Sequence, residues 1–460
     1  MPIFGFDHLY GAAGWLSPGY VSVDANGWIT DVSGDAPEEG VVFRAGVAIP
    51  GVPNLHSHAF QRAMAGLSEY RTAAAQDSFW TWRDLMYRFV GRLTPDDLEA
   101  IAAQLYVEML KSGYTAVGEF QYLHHGKDGG AFDNPAEMSL RALAAAQTTG
   151  IGATLLPVLY QHAGFGKQPP GDGQRRFING TDSLLKIYEI LAKATGPDYD
   201  RHTGIAPHSL RATDEESIRT VVSAIDASAP IHIHIAEQEK EVADCIEFSG
   251  RRPVEYLLDM LDVDGHWCLV HATHMTADEV REAATCGAIA GLCPTTEANL
   301  GDGMFDLPKW QFENGALGVG SDSHISVSPV EELRWLEYGQ RLRDRRRNVA
   351  ADDEVSTGRM LFDAAVSGGA QALGRSGATG ETGLRAGARA DIVVLDARAP
   401  VFAGHGVETF IDAWVFSGNL PAVTDVFVGG AQVVTDGHHP QEREIASRYN
   451  DVVRAIRNSV

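Results

Sequence analysis

Short apolar runs alternate with stretches of helical periodicity through the middle of the chain, from residue 47 to residue 320. The runs are rich in valine, isoleucine and leucine and end at turn or polar residues, which is the pattern of buried strands. The predicted strands are Val47–Leu55, Thr115–Glu119, Gly152–Leu159, Thr203–Ala206, Ile231–Ala236, Trp267–His271, Ala288–Leu292 and Ala316–Gly320. The predicted helices between them are Pro95–Gly113 (with Thr94 as N-cap), Asn134–Thr149, Asp182–Thr195, Asp214–Ala227, Arg252–Leu261 and Ala277–Cys286.

Eight strands that alternate with helices predict an α/β fold, a (β/α)8 TIM-type barrel, which we assign to residues 49–379. A doubly wound open sheet shows the same alternation and is the competing architecture. The segment Gln61–Phe89 is too long for a routine connection and rich in aromatic residues. We therefore expect it to fold over the barrel mouth.

Strands and turns of another kind occupy both ends of the chain. The predicted strands there are Tyr20–Val23, Trp28–Val32, Gly383–Gly387, Ala390–Asp396 and Asp425–Gly430. We expect residues 1–48 and 380–440 to form one small β-sandwich domain beside the barrel. Residues 441–460 are predicted as a C-terminal helix.

Composition and charge narrow the function classes. Hydrophobic residues make up 44% of the chain and charged residues 21%, as in globular proteins with a large core. A formal net charge of −24 argues against a nucleic-acid partner, and no stretch is long and apolar enough to span a membrane. The first residues lack the build of a secretory signal, and the four cysteines show no Cys-x-x-Cys spacing. We expect reduced thiols and a cytoplasmic protein.

Histidines and a carboxylate stand where predicted strands end. His56 and His58 close the first strand, and the side-chain period of two points them to the same side. The other strand-end residues are His232 and His234 on the fifth strand, His271 on the sixth and Asp322 after the eighth. The carboxyl ends of barrel strands meet at one rim. Any three of these imidazoles, together with the one carboxylate, would form a donor set for Zn²⁺ or Fe²⁺.

These motifs resemble the amidohydrolase superfamily. The resemblance is carried by Pro50-Gly51-x-x-Asn54-x-His56-x-His58, His234-x-x-Glu237, His271, Ser321-Asp322 and the segment 383–396. Within the superfamily the chain is similar to the aminohydrolases, which release ammonia from a C=N centre with one metal. The motifs Asn54–Arg62 and Ser78–Arg83 resemble the subgroup that deiminates N-formimino-L-glutamate in histidine degradation.

The resemblance implies one divalent metal ion per chain, Zn²⁺ in preference to Fe²⁺. Its ligands would be His56, His58, His234 and Asp322. His232 shares a face with His234 and competes for the ligand role on strand five. We choose His234 because the His-x-x-Glu spacing of the superfamily then makes Glu237 the proton shuttle. Strand four ends without the lysine of two-metal relatives, which fits a single metal.

The same resemblance assigns catalytic roles. The metal would activate a water molecule, and Asp322 would take the water proton. His271 would stabilise the tetrahedral centre, and Glu237 would pass a proton to the nitrogen that leaves as ammonia. The other product would be N-formyl-L-glutamate.

The substrate carries two carboxylates, each suited to the planar fork of an arginine. Arg211, just past strand four, and Arg83, in the long first loop, are the candidates. The resemblance adds Gln61, Tyr122 and His208 as hydrogen-bonding neighbours. The expected partners are thus a small dianionic substrate and, in a homodimer, a second copy of the chain.

Three other functions stay open on the sequence. A guanine- or adenosine-type deaminase would need an aromatic, amide-lined pocket in place of two arginines. An amide or ring hydrolase fits less well because strand four lacks the lysine. A barrel protein without enzymatic activity would not need the full His, Asp and Glu set.

Overall fold

The structure is a computed structural model that describes residues 2–37, 39–71 and 79–457. Its strands are β1 Ile3–Gly11, β2 Gly14–Leu16, β3 Gly19–Val23, β4 Ile29–Ser33, β5 Val41–Pro50, β6 Val52–Ser57, β7 Tyr114–Gln121, β8 Gly152–Leu159, β9 Arg201–Thr203, β10 Ala206–Pro207, β11 Ile231–Ile235, β12 Trp267–His271, β13 Ile289–Leu292, β14 Ala316–Val319, β15 Ile392–Leu395, β16 Val423–Val428 and β17 Ala431–Val434. Ser78 of the predicted Ser78–Arg83 motif lies outside the described residues.

Helices separate most of the middle strands. They are α1 Phe79–Val90, α2 Pro95–Ser112, α3 Glu137–Thr149, α4 Thr181–Thr195, α5 Glu215–Ala224, α6 Glu239–Ser249, α7 Pro253–Met260, α8 Ala277–Thr285, α9 Pro294–Leu300, α10 Leu307–Phe312, α11 Pro329–Asp344, α12 Thr357–Ala372, α13 Phe410–Phe416 and α14 Glu442–Arg457. Short 3₁₀ helices cover Ala59–Met64, Asp172–Gln174, Pro400–Phe402 and Val407–Thr409. None of the helices in the described ranges has both the length and the apolar character needed to cross a membrane.

The middle strands form two parallel sheets. One has the order β10-β8-β7-β6, with β9 also on β8, and the other has the order β11-β12-β13-β14. Isolated parallel bridges link the two sheets at both edges, Ser57 to Asp322 on one side and Ile205 to Ile231 on the other. The predicted α/β fold with parallel strands is confirmed.

Local sequence explains where α2 begins and ends. The Thr94 hydroxyl accepts a hydrogen bond from Asp97 N at 3.2 Å, and the Asp97 carboxylate accepts one from Thr94 N at 2.9 Å. Pro95 stands in the first turn, where a missing N–H costs nothing. Gly113 ends the helix at φ 107°, a conformation that disfavours side chains. The predicted helix and its N-cap are confirmed.

The predicted first strand, Val47–Leu55, is two strands in the structure. The chain leaves β5 and enters β6 at Gly51, whose N–H donates to Asp391 O at 2.9 Å. A side chain at Gly51 would meet Thr115 at 2.2 Å, so only glycine permits this close passage. Strand propensity on both sides of Gly51 concealed the change of sheet.

Both ends of the chain contribute to one eight-stranded sheet, ordered β17-β16-β15-β5-β1-β3-β4 with β2 on β1. A separate cluster of buried residues, including Phe6, Ile392 and Phe427, packs on this sheet. The predicted strand Gly383–Gly387 is wrong: the segment is a series of bends and turns. Gly383 and Gly387 have φ values of 73° and 89°, which interrupt an extended backbone.

The carboxyl end of α12 enters the space between the parallel strands. Leu373, which follows α12, is fully buried and packs with Leu55 and Val270. Its carbonyl accepts a hydrogen bond from the Thr154 hydroxyl at 2.7 Å. Side chains therefore fill the space between the strands near Leu373. The cavity lies toward the carboxyl ends of the strands.

Candidate metal centre and substrate cavity

Three histidines meet at the carboxyl ends of β6 and β11. His56 lies on β6, His58 follows it, and His234 lies on β11. The Nε2 atom of His56 is 3.2 Å from that of His58 and 3.0 Å from that of His234. All three side chains are buried. The structure therefore places side by side the three histidines that the sequence predicted as ligands.

The outer nitrogens of two of these rings determine their tautomers. His58 Nδ1 donates to Phe120 O at 2.9 Å, and His234 Nδ1 donates to His208 O at 3.1 Å, because a carbonyl can only accept. Burial lowers the pKa of His56 to about 3 and lowers the pKa values of His58 and His234. Neutral His58 and His234 therefore direct their Nε2 lone pairs toward Nε2 of His56, an arrangement that a divalent cation would satisfy.

Asp322 completes the cluster from the loop after β14, where it forms a bridge to Ser57 of β6. Its Oδ1 atom is 3.5 Å from His56 Nε2 and 3.3 Å from His58 Nε2. Burial raises the pKa of Asp322, but its hydrogen bond to His56 and the nearby histidines outweigh burial and hold it below its usual range. Asp322 has φ 44°, and such strained backbone is typical of functional sites. A side chain at Gly320 would meet His56 Cβ at 2.8 Å, so glycine lets this loop approach.

His232 lies outside the cluster. Its Nε2 atom donates to Ala372 O at 2.8 Å, at the end of α12, and burial lowers its pKa to about 4. His232 and His234 share a face of β11, but only His234 reaches the carboxyl end, where the other two histidines stand.

Glu237 and His271 lie beside the cluster. His271 Nε2 is 3.9 Å from both Glu237 Oε1 and Asp322 Oδ2, and its Nδ1 donates to Glu297 Oε1 at 3.2 Å. Burial lowers the pKa of His271, but the Glu237 charge and the Glu297 hydrogen bond together raise it to about 10. Burial raises the pKa of Glu237, against the charges of His271 and Arg211. A cationic imidazole thus faces two carboxyl groups.

A cavity opens in front of these groups. It is lined by the five predicted substrate-binding residues, Gln61, Arg83, Tyr122, His208 and Arg211, together with His58, His234, Glu237, His271 and Asp322. Gln61 Nε2 donates to the Tyr122 hydroxyl at 3.1 Å, which fixes both side chains. Arg83 comes from α1, so the predicted cover of the mouth contains a helix.

Sequence reasoning missed part of this cavity. Phe79, Trp82, Met86, Tyr87, Tyr160, Phe177 and Leu300 also line it. Phe79, Trp82 and Tyr87 belong to the aromatic segment Gln61–Phe89 that we expected over the mouth, but they were not predicted as site residues. Tyr160 and Phe177 come from the chain after β8, where nothing in the local pattern marked them. Glu297 was missed as the partner of His271 because it stands on a short helix outside the strand-end pattern.

The whole-chain comparison agrees with this geometry. A model of the amidohydrolase family matches residues 47–433. A solved structure of an amidohydrolase from Brucella melitensis is 44% identical, with a TM-score of 0.94, covering 99% of this chain and 100% of that one. The chain belongs to the amidohydrolase family.

Two named relatives give finer comparisons. Formimidoylglutamate deiminase from Pseudomonas aeruginosa is 51% identical over 441 residues, covering 96% of each chain. A 5-methylthioadenosine/S-adenosylhomocysteine deaminase from Natronomonas pharaonis is 29% identical, covering 85% of this chain and 82% of that protein.

Proposed function

We propose that this chain is a metal-dependent hydrolase that converts N-formimino-L-glutamate to N-formyl-L-glutamate and ammonia, a step of histidine degradation. The observation that carries the proposal is a pair of arginines, Arg83 and Arg211, in the cavity that holds the histidine cluster. The 51% identity to formimidoylglutamate deiminase supports the same assignment.

The two arginines suit a substrate with two carboxylates. Among the described residues, no carboxylate lies within ion-pair distance of either guanidinium, and Arg83 Nε is buried without a hydrogen-bond partner. The Arg83 guanidinium stacks over two aromatic rings, with its Cζ atom 4.5 Å from the ring centroid of Trp80 and 5.5 Å from that of Tyr87. These contacts hold the guanidinium in place. Both arginines are half-buried, and their guanidinium groups can pair with the carboxylates of a bound ligand. Each arginine would bind one substrate carboxylate.

One divalent cation would be held by His56, His58, His234 and Asp322. Three imidazole nitrogens and one carboxylate oxygen favour Zn²⁺, with Fe²⁺ as the alternative for the same donors. A bound divalent cation acidifies water and polarises the carbon that the water attacks.

The remaining chemistry falls to the side chains. Asp322 accepts the proton of the attacking water, and the cationic His271 stabilises charge that develops on the tetrahedral centre. Glu237, whose pKa burial raises, delivers a proton to the formimino nitrogen. Asp322 gives its proton to the same nitrogen as the C–N bond breaks and ammonia leaves. The hydroxyl proton of the tetrahedral centre returns to Glu237 as the carbonyl of the N-formyl product forms.

The finer architecture belongs to the same proposal. The two parallel sheets, bridged at both edges, would form a closed barrel with the cavity at its carboxyl end. Its strands number eight when β9 and β10, which pair with β8 one after the other, are counted as one. The sheet from both chain ends would fold as a sandwich around its own buried cluster. That the protein is a homodimer stays a prediction. Light scattering of the purified protein would measure its molar mass and test it.

Ammonia release from a panel of N-formimino-L-glutamate, guanine, adenosine and cytosine tests the proposed function. We expect turnover of the formimino compound alone. Turnover of a nucleobase or nucleoside would instead favour the deaminase alternative, for which the aromatic lining of the cavity is the supporting observation.

A further inference from the structure

A chain of buried hydrogen bonds passes beneath the metal-binding loop. Asn54 Nδ2 donates to Ser321 Oγ at 2.6 Å, and Ser321 Oγ lies 2.9 Å from His324 Nδ1. His324 Nε2 lies 3.2 Å from Ser57 Oγ, which donates to Glu119 Oε2 at 2.7 Å. All five side chains are buried. The proposed mechanism gives them no role.

The hydrogen bonds of this series all run in one donor-to-acceptor direction. The single proton of the Ser57 hydroxyl goes to Glu119, so His324 must donate to Ser57 from Nε2. An imidazole that donates from Nε2 can accept at Nδ1, which here lies within hydrogen-bond distance of the Ser321 hydroxyl. The Ser321 oxygen accepts from Asn54 in turn. Every proton therefore points toward Glu119.

Glu119 is the acceptor at the end of the chain. Its Oε1 atom accepts from Ala59 N at 2.8 Å, and Oε2 accepts from Ser57 Oγ and from the Tyr106 hydroxyl at 3.1 Å. All three donors need an oxygen acceptor. An amide in place of the carboxylate would turn an NH₂ group toward one of them.

The series of hydrogen bonds contacts residues that neighbour the proposed metal ligands in sequence. Ser57 stands between His56 and His58, Ala59 follows His58, and Ser321 precedes Asp322. Each of these contacts is thus one residue from a proposed ligand. The backbone that carries the ligands is held from behind by Glu119 on β7 and by Asn54 on β6.

We infer that Glu119 is a positioning residue for the metal centre: by accepting from Ser57 and Ala59 it holds the backbone that presents His56 and His58. The inference rests on the metal centre of the proposed function. Groups behind a metal's ligands typically change its affinity by ~10–100-fold when they are removed. We expect a loss of zinc affinity in that range for Glu119→Gln.

The test measures Zn²⁺ affinity of metal-stripped protein by competition with a fluorescent zinc chelator, without any substrate. Glu332→Gln is the matched control, because Glu332 is equally buried and accepts from Thr295 N at 2.9 Å and Thr295 Oγ1 at 2.6 Å. Its zinc affinity should stay within ~2-fold of wild type, since that carboxylate supports the first turn of α9.

Ser57→Ala is the second variant, used in case Glu119→Gln does not fold. It leaves Glu119 bound to Ala59 and Tyr106 and removes one hydrogen bond, so zinc affinity should fall ~5-fold. Wild-type affinity in both variants, or an equal loss in Glu332→Gln, overturns the inference while leaving the proposed function intact. A wild-type protein that binds no zinc overturns both.

Discussion

Arginines lie at both ends of the parallel strands, buried at the amino ends and half-buried at the carboxyl ends, and their ion-pair partners differ. At the amino ends, Arg375 Nη2 contacts Asp200 at 3.2 Å and Asp391 at 2.9 Å. Arg389 Nη2 contacts both Asp200 oxygens, at 2.8 and 2.9 Å. A side chain at Gly152, the first residue of β8, would meet the Arg375 guanidinium at 2.6 Å, which places this cluster at the amino end.

At the carboxyl ends, Arg83 and Arg211 face the cavity, and no described carboxylate forms an ion pair with them. Burial lowers the pKa of Arg211, but the nearby Tyr160, Glu241 and Glu237 outweigh burial and raise it, so the group stays charged. The sequence shows arginine in both places. Only the partners distinguish a cluster that joins parts of the fold from a pair that awaits an anion.

The largest expected effect is at the cavity end, for Glu237→Gln. Without a proton donor for the leaving nitrogen, turnover should fall by ~10²–10⁴-fold while the zinc content stays at the wild-type value. Steady-state kinetics and elemental analysis of the same preparation measure both. Near-native turnover would remove Glu237 from the mechanism and reopen the choice between His232 and His234.

The cavity arginines should come next. Arg211→Met or Arg83→Met should lower kcat/KM by ~30- to 5,000-fold, because each leaves a substrate carboxylate unpaired in a desolvated site. Metal content should not change. The loss should be smaller for a formimino compound that lacks one carboxylate, since that compound has already lost one contact. Wild-type kcat/KM on the dianionic substrate in both variants would refute the pairing.

At the opposite end, Arg375→Met should affect folding and leave catalysis intact. The substitution removes a buried cation from between Asp200 and Asp391, so the free energy of unfolding should fall by ~3–5 kcal/mol. Urea denaturation measures this change, and kcat/KM of the folded variant should stay within ~3-fold of wild type. A large fall in kcat/KM with unchanged stability would reverse the contrast between the two ends.

The smallest expected effect is for His232→Gln. The His232 side chain donates to the backbone carbonyl of Ala372, so loss of that bond should lower stability by ~1 kcal/mol and zinc should remain bound. His234→Gln, two residues along the same strand, is the matched comparison and should lose zinc. Elemental analysis decides: a variant at His232 that loses its metal would make His232 the ligand.

Elements with strong local signals were predictable from the sequence. The capped helix after Thr94 and strands such as Gly152–Leu159 follow from residues that are neighbours in the chain. Two errors occurred where glycine changed the path of an apolar run. At Gly51 the run continues while the chain changes sheets, and at Gly383 and Gly387 the backbone turns. Strand propensity gives no information about which distant residue leaves no room for a side chain at the glycine.

The candidate site divides in the same way. His56, His58, His234 and Asp322 were identified because strand periodicity and position at strand ends are visible in the sequence. Their roles remain predictions, although the structure brings them together. Glu119, Glu297 and Tyr160 were not identified, because their contacts join residues distant in sequence.

The sequence by itself determined the alternation of strands and helices and the residue types at the strand ends, because backbone periodicity is a local property. The tertiary structure decided which arginines have ion-pair partners. Asp200 reaches Arg375 across 175 positions, while Arg83 and Arg211 are left to face a cavity. A charge in a folded protein is stabilised by whatever lies within a few ångströms of it, and only the folded chain sets those neighbours.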